Sequence, residues 1–140
     1  MKRIFCLVLL STMLISSIVF AKCNLDTTRW IWVTSNEELG IFVDSRTIKI
    51  NYGNVEFWSC LYYPSGCKWH DGEHYHYCNS VIDFNRNLEW GKAMYCYNSS
   101  GQLIDDFRHK VPDWVPILSD SMGESEANVV YELAYGKKRR

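Results

Sequence analysis

The sequence lacks the local signatures of common enzymes. It contains no Gly-x-Ser-x-Gly nucleophile elbow, no glycine-rich phosphate loop and no His-Glu-x-x-His zinc helix. These absences argue against serine-hydrolase, P-loop nucleotide and zincin chemistry. Two smaller candidates fare no better. Asp105 and Asp106 are adjacent, and neighbours in a strand face opposite sides, so they read as surface charges. Cys67 with His70 would make a Cys–His nucleophile, but an exported chain oxidises its thiols. The expectation is a protein that is not an enzyme and needs no cofactor.

Long apolar runs are also missing after the first twenty residues, so no transmembrane segment is expected in the mature chain. The first run has a different reading. Lys2 and Arg3 precede an apolar stretch over 5–20, and Val19-Phe20-Ala21 supplies a cleavage site, as in a secretory signal peptide. The expected division is signal peptide 1–21, one domain over 22–136 and a basic tail over 137–140. The product would be secreted, periplasmic or held at the cell surface. Lys22 occupies the place before Cys23 where a lipoprotein signal wants a small residue.

Excess basic charge is lacking too. The formal net charge is −1, and cleavage removes Lys2 and Arg3. Lys137, Lys138, Arg139 and Arg140 sit together at the terminus, which leaves the body distinctly acidic and argues against nucleic acid as the partner. The tail itself reads as a solvated end.

Cysteine is present in an odd number once Cys6 leaves with the signal. Cys23, Cys60, Cys67, Cys78 and Cys96 remain as disulfide candidates, so one is free, pairs between chains or is modified. The richest stretch is 54–85, which holds Cys60, Cys67, Cys78, His70, His74 and His76. Two alternating aromatic segments flank a Pro/Ser/Gly loop there, which predicts a long β-hairpin. Centred near Trp69, it would place Cys60 opposite Cys78, and that pair is the first expected bond.

The rest of the chain is rich in β-formers. Strands are expected at 30–33, 40–44, 47–50, 89–98 and 102–110, with turns at 51–54 and 98–101. Asn98-Ser99-Ser100 fits a glycosylation sequon but reads better as turn chemistry. Pro112 and Pro116 exclude a central strand and mark an extended connector, with Trp114 as a plug on the sheet. Ser121 and Glu124 have capping-box spacing. Ala127, Val130, Leu133 and Ala134 form a helical stripe, and Gly136 is a stop. The expected fold class is α+β: an antiparallel β-meander of about six strands with a C-terminal helix packed on one face. Several strands are apolar on both sides, and one helix cannot cover two faces. The second face is expected to hold a dimer contact, an aromatic binding surface, or the wrapped connector.

The order of elements resembles the bacterial surface-adhesin protein E-like domain family across 29–135. The matching residues are Trp30, Phe42-Val43-Asp44 with Thr47-Ile48, Trp58, Tyr97-Asn98-Ser99-Ser100-Gly101, Trp114-x-Pro116, and 119–121 leading into the helix. The resemblance implies an exported domain with a bent antiparallel sheet and a helix on its concave face. It also implies an adhesin that binds host extracellular-matrix or serum proteins and can form a homodimer. Many members tie the helix to the sheet by a late cysteine, whereas this chain has none after Cys96.

Two functions follow as expectations. One is a protein-binding module presenting Trp58, Tyr62, Trp69 and Tyr75, because Tyr and Trp offer large contact area with few rotors. The other is an exported zinc or copper protein using His70, His74 and His76. His74 and His76 repeat on one strand face, and Asp71, Glu73, Cys67 or Cys78 could complete the site.

Overall fold

A computed structural model describes residues 25–140; the expected signal peptide and Cys23 lie outside them. The chain folds into one antiparallel sheet. Its strands are β1 (Trp30–Ser35), β2 (Gly40–Asp44), β3 (Lys49–Asn51), β4 (Asn54–Tyr62), β5 (Tyr75–Asp83), β6 (Leu88–Tyr97), β7 (Leu103–Arg108) and β8 (Val115–Pro116), followed by helix α1 (Met122–Tyr135). The spine runs β1-β2-β4-β5-β6-β7, a meander of the predicted kind. The sheet has eight strands rather than about six, because β3 adds to β4 and β8 adds to β6.

Local chemistry explains both strands off the spine. Tyr52 and Gly53 take φ of 50° and 86°, the pair of left-handed residues that a tight hairpin turn requires, and this folds β3 back on β4. At β8, Pro116 lies on the sheet edge, where a missing N–H costs little. Asn87 clamps the residue after it: Ile117 N donates to Asn87 O at 3.1 Å, and Asn87 Nδ2 donates to Ile117 O at 3.0 Å. The connector therefore crosses the edge of β6 and delivers Ile117 to the core. Trp114 packs on Trp90, 6.0 Å between centroids.

Helix α1 lies over β1, β2 and β4. Val43, Val55, Phe57 and Ile82 meet Ile117, Ala127 and Val130 in the core beneath it. Ser121 caps the helix, accepting from Glu124 N at 3.0 Å, while the Glu124 carboxylate reaches Asp120 N at 2.8 Å. Gly136 ends it at φ 68° and donates to Glu132 O at 2.8 Å. The buried stripe differs from the expected one: Leu133 is exposed, and Glu126 is buried beside Ala127. Ala127, Val130 and Ala134 share the face turned to the core. The tail turns back as well, with Arg139 Nη2 donating to Asn87 Oδ1 at 2.5 Å.

The central hairpin corrects the expected register. Tyr62 pairs with Tyr75, Ser59 with Cys78 and Cys60 with Tyr77. Cys60 and Cys78 thus point to opposite faces and cannot bridge as expected. The closing loop sets this register: Tyr63 N donates to His74 O at 2.8 Å, and Cys67 N donates to Glu73 O at 2.7 Å. The pairing centre falls half a residue from Trp69, which is enough to turn every side chain over.

Candidate functional site

The face away from the helix carries the aromatic residues. In register, Phe42 sits opposite Cys60, Cys60 opposite Tyr77, and Tyr77 opposite Tyr95; Tyr62, Tyr75 and Tyr97 form the next row. Trp30, Phe42, Cys60 and Tyr62 make a second buried cluster on this side. Beside it lies an open groove of about 560 Å³, walled by Trp30, Trp58, Tyr77, Tyr95 and Tyr97 with Arg29, Asp44 and Thr47. A second depression of about 430 Å³ shares Tyr77 and Tyr97 and extends to Tyr75 and the 99–101 turn.

The rings brace one another. Trp30 meets Tyr77 edge-on at 5.5 Å, Tyr77 meets Tyr97 at 5.4 Å and 88°, and Trp58 lies 5.9 Å from Tyr95. Such pairs add to their area burial and hold the walls in place.

Polar groups fix the ends of the groove. Arg29 Nε donates to both Asp44 oxygens at 2.9 Å, and Arg29 Nη2 donates to Oδ2 at 2.5 Å, a forked pair. Asp44 is buried, and its carboxylate raises the pKa of Arg29 through that hydrogen bond. Thr47 Oγ1 donates to Asp44 O at 2.9 Å and accepts from Trp58 N at 3.0 Å, linking the ion pair to the aromatic wall. At the other side Arg108 Nη2 donates to the Tyr95 hydroxyl at 2.5 Å, with the guanidinium 5.5 Å from the Tyr95 ring centroid.

Of the residues expected to bind protein, Trp58 and Tyr75 line these depressions. Tyr62 is buried and stacks on Tyr75 at 4.9 Å, so it supports the surface from below. Trp69 is 83% exposed on the hairpin loop and lines neither depression. Arg29, Asp44, Tyr77, Tyr95, Tyr97 and Arg108 were not expected as binding residues, Asp44 and Tyr97 having entered only through the family resemblance. The spacing Tyr75-x-Tyr77 and Tyr95-x-Tyr97 was the available signal, since alternate strand residues share a face.

The expected metal trio is not brought together. His70 is exposed, and His74 Nδ1 sits 2.9 Å from Tyr63 O, with its ring beside Gly66. His76 instead meets Glu73, Nε2 to Oε2 at 2.6 Å, with Cys67 alongside. This cluster lies on the helix-bearing side of the sheet: His76 is opposite Leu61, which shares its face with Phe57 and Ser59. Cys67, Cys78 and Cys96 are free thiols. Asp105 and Asp106 pair with Cys96 and Tyr95 respectively, which places them on opposite faces. Among the described residues, no helix is long and apolar enough to cross a membrane.

Comparison of the chain with protein-family models, curated proteins and solved structures finds no match.

Proposed function

We propose that this chain is an exported, non-enzymatic, adhesin-like binding module whose aromatic groove takes an extended stretch of a host matrix or serum protein. One observation carries the reading: a braced set of Trp and Tyr rings forms an open groove. Aromatic walls supply contact area at low entropic cost. Export follows from the leader-like start of the sequence, and the adhesin class from its resemblance to the protein E-like family.

The test is binding of the exported chain to immobilised, purified matrix and serum proteins, measured against salt. Trp58→Ala and Tyr95→Ala are expected to weaken binding by roughly 30-fold, the scale of an aromatic hot spot of about 2 kcal/mol. Melting temperatures of the variants serve as the folding control. Binding that both variants retain in full would remove the groove from the function.

A further inference from the structure

We infer that the base of the central hairpin is a zinc site formed by Cys67, Glu73, His76 and Cys96. It lies on the opposite side of the sheet from the aromatic groove and stands independently of the function proposed for that groove.

The donors converge from three segments. Cys67 Sγ, a Glu73 carboxylate oxygen and a His76 ring nitrogen all lie within 4.8 Å of one another. Their residues are 8%, 3% and 5% exposed. Cys96 approaches from β6: it pairs with His76 in register, on the same face of the sheet, and is buried. The set is two sulfurs, one imidazole nitrogen and one carboxylate oxygen. Four such donors suit tetrahedral Zn²⁺, and sulfur with imidazole disfavours Mg²⁺ and Ca²⁺.

The surroundings are those of a built site. Glu73 is buried with His76 as its hydrogen-bond partner, and a cation held there would balance the carboxylate and the thiolates that bind it. Backbone hydrogen bonds preset the loop: Cys67 N to Glu73 O at 2.7 Å and Gly66 N to Tyr63 O at 3.1 Å. The Tyr63 ring lies 4.9 Å from the His76 ring and restricts its rotation. His74 is held by Tyr63 O, which keeps it out of the donor set. Residues 64–73 include just two buried side chains, Cys67 and Glu73, and both are donors. A bound ion would therefore pin a loop that has little core of its own.

The experiment is Zn²⁺ and Co²⁺ titration of the reduced whole chain, followed by native mass spectrometry and cobalt absorption spectroscopy. One ion per chain is expected, with thiolate-to-cobalt charge-transfer absorption and tetrahedral d–d bands. Cys67→Ser and His76→Gln should each lose stoichiometric binding, and the paired change of His70→Ala with His74→Ala should keep it. Glu73→Gln gives a second reading should a cysteine variant fail to fold. Three results would overturn the assignment: no stoichiometric binding, binding that survives Cys67→Ser with His76→Gln, or a Cys67–Cys96 disulfide in the chain as exported.

Discussion

Glu126, carried down by the helix, is buried against the central strand at Ser59, and among the described residues its Oε1 has no hydrogen-bond partner. Burial, and then the charge of Glu89, pushes the pKa of Glu126 up to about 8. The folded state thus favours the protonated acid. Its contribution is full below the ordinary carboxyl value of 4.5 and is lost as pH rises through about 8. Glu89 is shifted up by burial and acts in the same direction. The Tm gap between Glu126→Gln and the parent should be small at pH 5 and widen in favour of the variant toward pH 8. Thermal melts across that range measure it, and a constant gap would refute the coupling.

Phe57 is fully buried under the helix, among Val43, Val55 and Val130. Phe57→Ala should cost about 3–5 kcal/mol, a transfer loss plus a cavity. Leu133→Ala, on the exposed side of the same helix, should stay within about 0.5 kcal/mol. Urea denaturation of both variants reads the contrast.

The two helix ends should respond separately. Ser121→Ala removes the acceptor for Glu124 N and should cost about 1 kcal/mol. Gly136→Ala forces a side chain into φ 68° and should cost about 1 kcal/mol. The sites are far apart in sequence along the helix, so the double variant should lose the sum of the two in chemical denaturation.

Peptide mapping without reduction should recover no Cys60–Cys78 link. Cys60 faces the aromatic side opposite Tyr77, and Cys78 faces the helix side opposite Ser59. A Cys60–Cys78 peptide in substantial yield would require the hairpin to slip by one residue.

Much of this architecture is encoded locally. Alternation at 54–62 and 75–83 assigns side chains to two faces before any partner strand is known. The capping role of Ser121, the stop at Gly136 and the Asn98–Gly101 turn each depend on a few consecutive residues. Asn98 Oδ1, for example, accepts from Ser100 N and Gln102 N at 2.9 Å each. These features were legible because their hydrogen bonds close within one turn of chain.

What lies opposite what depended on tertiary structure. Strand alternation gives a side chain its face but not its cross-strand neighbour, and loop closure between Tyr63 and His74 decided that neighbour. The same closure carries Cys67 and Glu73 onto His76, while His70 and His74 turn elsewhere. The groove is non-local for the same reason: Arg29, Trp58 and Tyr95 meet only because β1, β4 and β6 are set across one sheet. The sequence by itself determined the meander, the helix limits and a doubly apolar sheet, all governed by short-range periodicity. Which thiols, histidines and rings share a site was decided by register, a long-range pairing in which one residue of slip reverses every face.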